Sequence, residues 1–204
     1  MTSIRYGEQF IQPSKILCVG RNYVEHIREL GNAMPDQMVV FSKPATSISQ
    51  DLCSYHQEPL HYEAEICFLV EGGELTAVGV GVDLTKRELQ AKLKQQGLPW
   101  ERAKAFDGSA VFSRFVPLDL LDVNDLSIEL FINCVRVQCG HVSQMLYPPQ
   151  AILSELNTYT TLQDNDIIMT GTPSGVGVVH EGDVFLLRLK QGEKIVIETE
   201  WAAK

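Results

Sequence analysis

With 204 residues, 45% of them hydrophobic and 21% charged, the chain can bury a sizeable core and reads as one domain spanning 1–204. A formal net charge of −9 argues against nucleic acid as a partner, since neutralising phosphates needs clustered Lys and Arg. No run approaches the roughly 20 apolar residues of a membrane span, the first seven residues carry no apolar targeting stretch, and five cysteines without a Cys-x-x-Cys pair suit a reducing cytoplasm, where Cys18 and Cys67 serve as small core hydrophobes.

In chain order, residues 15–19 read as a short strand. A helical pattern over 24–30 follows, stopped by Gly31-Asn32, two residues that tolerate the left-handed conformation. Residues 38–41 form another short strand, and 46–60 a polar loop or weak strand. The run 62–70 is a buried strand, Glu71-Gly72-Gly73-Glu74 a turn, and 75–82 its partner strand. Thr85 and Glu88 have capping-box spacing ahead of a helix that carries Leu89 and Leu93 and ends at Gly97-Leu98-Pro99. Alternation at 126, 128, 130 and 132 predicts a half-buried strand over 126–137. Pro148-Pro149 opens a helix to about Leu156, and 166–170, 183–189 and 194–199 are three further strands. The balance is an α+β domain, mostly β, with a few short helices.

Within that frame, Glu63 and Glu65 project from one face of a strand, roughly 6–7 Å apart. Asp83 sits where the next apolar segment ends. Converging carboxylates suit a hard cation such as Mg²⁺, Mn²⁺ or Ca²⁺; the same spacing also occurs on the solvated face of an edge strand. His26 and Glu29, three apart on a helix, lie on one face, where the carboxylate can orient the imidazole for proton transfer. Lys104, among small and aromatic residues, could stabilise an enolate or carboxylate beside a metal. The glycine-rich loop 171–177 follows a strand end and could bring backbone amides close to an anion. It has neither phosphate-loop nor dinucleotide-loop spacing.

The order of these segments resembles the fumarylacetoacetate hydrolase family, in its small acylpyruvase and oxaloacetate-decarboxylase-like branch. The matching stretches are Cys-Val-Gly-Arg-Asn-Tyr at 18–23 with His26 and Glu29, Phe-Ser-Lys-Pro at 41–44, and His-Tyr-Glu-Ala-Glu at 61–65. Asp-Leu-Thr at 83–85 with Arg87 and Gln90, Gly-Leu-Pro-Trp with Ala-Lys-Ala-Phe-Asp over 97–107, and the segment 168–177 complete the set. The resemblance implies a twisted mixed β-roll of the fumarylacetoacetase C-terminal-domain type, usually a homodimer. It implies Glu63, Glu65 and Asp83 as ligands of Mg²⁺ or Mn²⁺, and His26 and Glu29 as a dyad on a lid helix. Lys104 becomes the cation beside the metal, and Arg21, Gln90 and Thr172 become substrate contacts. The implied activity is metal-dependent C–C hydrolysis of short acylpyruvates, with oxaloacetate decarboxylation beside it. Isomerisation or tautomerisation of an enol–keto diacid is the alternative, and a non-catalytic metal-binding β-domain the rival from another class. The short connection at 71–76 is expected to remove a peripheral helix that relatives carry.

Overall fold

The computed structural model describes residues 2–31 and 33–204. The main elements in chain order begin with β1 (Lys15–Gly20), α1 (Val24–Glu29), β2 (Val39–Pro44), β3 (Leu60–Tyr62), β4 (Ala64–Glu71) and β5 (Glu74–Asp83). Next come α2 (Arg87–Gln95), α3 (Glu101–Lys104), β6 (Ala110–Phe112), β7 (Leu126–Ile132), β8 (Val135–His141) and α4 (Pro149–Leu156). The chain closes with β9 (Ile167–Met169), β10 (Val184–Gln191) and β11 (Lys194–Ala202). Among the described residues, no helix is long and apolar enough to cross a membrane.

A mixed, curled sheet runs in the order β2-β1-β9-β4-β5-β6, with Ile48–Ser49 at its far edge and Val116–Pro117 paired to β5. Strands β9 and β1 are parallel, whereas β4 pairs antiparallel with both β9 and β5. A second, antiparallel sheet runs β8-β7-β10-β11. Strand periodicity assigns the faces. Ala64, Ile66 and Phe68 of β4 and Val78, Val80 and Val82 of β5 pack on Leu126, Ile128, Leu130, Phe185, Leu187 and Leu189 of the second sheet. Cys67 and Leu69 turn to the opposite face, with Ile16, Cys18, Ile167 and Met169. Helix α4 covers Leu17, Val19, Val70 and Ile168 through Ile152, Leu153 and Leu156. The mostly β, curled architecture is the one expected, and both buried cysteines sit where the apolar runs place them.

Three local expectations need correction, and the helix stop at Gly31 is met. The 126–137 segment is a hairpin, not one strand: Asn133 and Cys134, at φ 49° and 67°, make a turn between β7 and β8. Val135 and Val137 resume an apolar alternation straight after the turn, one residue out of phase with 126–132, and so hide it. The Thr85 capping box does not form. Thr85 belongs to a two-residue strand paired with β3, Lys86 stands at the N-cap without a side-chain cap, and Glu58 Oε1 instead accepts the amides of Glu88 (3.0 Å) and Leu89 (3.3 Å). The expected strand 62–70 is broken at Glu63, because β3 pairs with 177–178 and 85–86 while β4 joins the large sheet. Finally, Gly31 at φ 61° ends α1 as expected; Asn32 lies outside the described residues. The connection between β4 and β5 is the two-residue turn Gly72-Gly73, both glycines at positive φ, as the primed hairpin turns require.

Candidate active site

The β4–β5 register brings the three carboxylates together. Glu65 pairs with Gly81, and the amide of Asp83 donates to Glu63 O at 2.8 Å, so Asp83 stands across from Glu63 on the same face. One oxygen from each of Glu63, Glu65 and Asp83 falls within 4.8 Å of the others, and all three residues are buried. Oxygens around a single Mg²⁺ or Ca²⁺ lie up to about 4–5 Å apart, so this cluster can close on one ion.

The surrounding cations partition these carboxylates. Lys104 Nζ donates to Glu63 Oε2 (2.9 Å), Asp83 Oδ2 (2.7 Å) and Thr85 Oγ1 (2.7 Å). Arg87 adds a close ion pair to Glu63 Oε1. Burial would raise the Glu63 carboxyl, but Lys104 and Arg87 outweigh it and hold the group well below the usual carboxylate range. Glu65 goes the other way: burial, then the charges of Asp83 and Glu63, push it well above that range, against the Gly171 amide that donates to Oε2 at 2.7 Å.

Lys43, wholly buried on β2, lies 2.8 Å from Asp83 Oδ1, yet its protons go to Lys104 O, Ser109 O (3.2 Å) and Ser109 Oγ (2.9 Å). Asp83 Oδ1 therefore receives charge but no hydrogen bond, a buried lone pair without a donor. Lys43 already supplies the charge beside that oxygen, so the fit to a hard divalent cation rests on the all-oxygen donor set of three converging buried carboxylates.

Facing the triad, α1 carries the expected dyad. Tyr23, Asn22 and Arg21 lead into it. Asn22 is fully buried and ties the helix start to Tyr147 and to Thr170 O (2.8 Å), while Arg21 takes φ 56°. His26 Nδ1 stands 3.2 Å from Glu29 Oε2, and Glu29 accepts the Gly175 amide at 3.0 and 3.2 Å. Gly175 sits at φ 100°, where an added Cβ would lie 2.0 Å from Val137 O. The glycine-rich loop thus does offer amides to anions, but the anions are this protein's own Glu65 and Glu29. Between dyad and triad lies a narrow cleft lined by Arg21, His26, Glu63, Glu65, Arg87, Gln90, Lys94, Trp100, Lys104 and Thr172. The volume open to the centre of a water molecule is about 40 Å³.

A family model described as fumarylacetoacetate (FAA) hydrolase C-terminal matches residues 15–202. The chain belongs to the fumarylacetoacetate hydrolase family. It is 34% identical over 191 residues to oxaloacetate tautomerase YcgM of Escherichia coli K12, covering 83% of this chain and 85% of that protein. A fumarylacetoacetate isomerase/hydrolase-like crystal structure from Oleispira antarctica superposes with a TM-score of 0.94 at 30% identity, over 100% of both chains. The fumarylpyruvate hydrolase of Pseudomonas aeruginosa, solved with Mn²⁺ and pyruvate, superposes with a TM-score of 0.88 at 27% identity, over 98% of this chain and 94% of that one.

In this fumarylacetoacetate hydrolase family member, every residue singled out from sequence reaches the one cleft or its wall: Glu63, Glu65, Lys104, His26, Arg21, Gln90 and Thr172 line it, Asp83 binds Lys104 behind it, and Glu29 holds His26. Thr172 is less available than expected, because its proton goes to Ala64 O (2.8 Å) and its oxygen accepts from Gln138 Nε2 (2.9 Å). Gln90 Oε1 accepts from Arg87 at 3.0 Å. Sequence reasoning assigned no role to Lys43, Arg87 or Gln138. Arg87 was findable, being three residues before Gln90 on one helix face. Gln138, which also accepts the Ala64 amide at 3.1 Å, lies on the hairpin strand that the alternation concealed.

Proposed function

We propose that this protein is a divalent-cation-dependent oxaloacetate keto–enol tautomerase. The observation that carries the reading is the cleft itself. Its lining sets a proton-transfer dyad, His26 with Glu29, against carboxylates of the triad, the arrangement that moving one proton on a 2-oxo acid requires. The similarity to a protein named oxaloacetate tautomerase supports the same reading. Glu63, Glu65 and Asp83 would hold Mg²⁺ or Mn²⁺, which when bound supplies Lewis-acid polarisation of a 2-oxo acid.

The chain's own residues account for the proton. Glu29, fixed by the Gly175 amide, orients His26 through Nδ1 and leaves Nε2 for substrate. From that position His26 takes a proton from C3 of the keto form and delivers it to the 2-oxo oxygen to give the enol; in the reverse direction it takes the enol O–H proton and returns it to C3. Lys104, held by Glu63, Asp83 and Thr85, and Arg87 keep positive charge beside the developing enolate.

The experiment is to follow loss of the enol-oxaloacetate absorbance with Mg²⁺, after EDTA, and in His26→Ala. Metal-dependent acceleration that falls roughly 10²–10⁴-fold in His26→Ala is expected. An unaccelerated rate in the metal-loaded protein would sink the assignment. The second reading, hydrolysis of an acylpyruvate with His26 activating water, is favoured by the similarity to a fumarylpyruvate hydrolase solved with Mn²⁺ and pyruvate. Acetylpyruvate turnover measured in parallel discriminates the two.

A further inference from the structure

We propose that Lys94 grips the carboxylate at the far end of a dicarboxylate substrate and so makes the site prefer dianions over monoanions. This rests on the tautomerase reading for the substrate's chemistry, but on separate residues for its geometry. Helix α2 places Arg87, Gln90 and Lys94 at i, i+3 and i+7, one stripe facing the cleft. The first two members of the stripe are already engaged, Arg87 with Glu63 and Gln90 and Gln90 with Arg87. Lys104, the next cation along the wall, spends its protons on Glu63, Asp83 and Thr85.

Lys94 differs. Among the described residues its ammonium makes no hydrogen bond or ion pair, and its partner is the face of Trp100, 4.5 Å from the ring centroid. That ring steadies a flexible side chain without neutralising it. The ammonium is half-buried in a wall that also carries Arg21, Arg87 and Lys104. Burial, then the charges of those three neighbours, pull its pKa down to about 8. A half-buried cation crowded by like charges gains most from an incoming anion. Glu63 and Glu65 of the carboxylate triad line the same cleft, with Asp83 behind them, and suit the 2-oxo acid end through a cation, leaving Lys94 for the other end. In the sequence Lys94 had no assigned role.

The test measures binding to the Mn²⁺-loaded protein by tryptophan fluorescence, using oxaloacetate and its 4-methyl ester, which keeps the 2-oxo acid but lacks the far charge. Wild type is expected to bind oxaloacetate roughly 10–100-fold more tightly than the ester. Lys94→Met should erase that preference while leaving ester affinity and Mn²⁺ affinity within about twofold, and Lys94→Arg should retain most of it. Lack of preference in wild type, an intact preference in Lys94→Met, or equal weakening of both ligands would each overturn the assignment. Should oxaloacetate bind with this preference and yet not be tautomerised, the functional reading alone fails and the role of Lys94 stands.

Discussion

At the scale of the residue, the site is a problem of charge compensation without water. Glu63, Glu65 and Asp83 are buried together, and Lys43 and Lys104 are buried with them. Lys43 is the sharper case, because it is fully enclosed and its protons serve the carbonyls of Lys104 and Ser109 and the hydroxyl of Ser109 while its charge serves Asp83. Lys43→Met should therefore leave Asp83 short of charge and Lys104 short of an anchor. A loss of roughly 3–5 kcal/mol in urea unfolding is expected, far more than the ~1 kcal/mol of an ordinary surface change. The sequence shows a lysine between a strand and a proline but not that it is buried. Its partners lie 40, 61 and 66 residues further along the chain, and no local pattern encodes such distances.

At the scale of the element, two short helices owe their position to loops. Helix α2 is capped by Glu58, thirty residues upstream, rather than by Thr85. Glu58→Ala should cost about 1 kcal/mol and lower the melting temperature by about 2–4 °C, whereas Thr85→Val should instead loosen Lys104. The expected capping box failed because Thr85 was recruited into a strand pairing with His61, which turns its hydroxyl to Lys104. Helix α1 has six residues, too few to be stable alone. It is pinned by Asn22 and by the Gly175 amide on Glu29. Gly175→Ala meets both a left-handed φ and a Cβ 2.0 Å from Val137 O, so the loop must move away from Glu29. Enol–keto turnover should drop roughly 10–100-fold with Mn²⁺ affinity unchanged, read by steady-state kinetics beside a metal titration.

At the scale of the whole molecule, the parallel β1–β9 pairing joins segments about 150 residues apart, and Asp166 holds the junction. Its fully buried carboxylate accepts from Ser14 N and Oγ, Lys15 N and Nζ (2.5 Å) and Gln163 N. Burial pushes the carboxyl up, but the bonds from Lys15, Ser14 and Gln163 outweigh it and hold the group below the ordinary aspartate range. The folded-state value lies below the unfolded one, so this stabilisation is present above the unfolded pKa of about 3.9 and is lost as pH falls through the folded value. Asp166→Asn should cost roughly 2–3 kcal/mol at pH 7, a difference that shrinks as wild type is acidified toward pH 2.5. Urea unfolding at the two pH values measures it.

What the sequence determined by itself was what short range can carry: the period-2 strands, the glycine turns, Glu63 and Glu65 two apart, and His26 and Glu29 three apart. Each follows from the repeat of a strand or helix, which holds whatever the rest of the chain does. Only the tertiary structure decided that Asp83 stands opposite Glu63, that Lys43 and Gln138 buttress the site, and that the loop amides bind Glu29 and Glu65. It also decided that Lys94 alone on its stripe keeps an uncommitted charge. Those facts depend on strand register and on burial, which arise when distant segments pair and exclude water, and a strand that slips by one residue reverses every one of them.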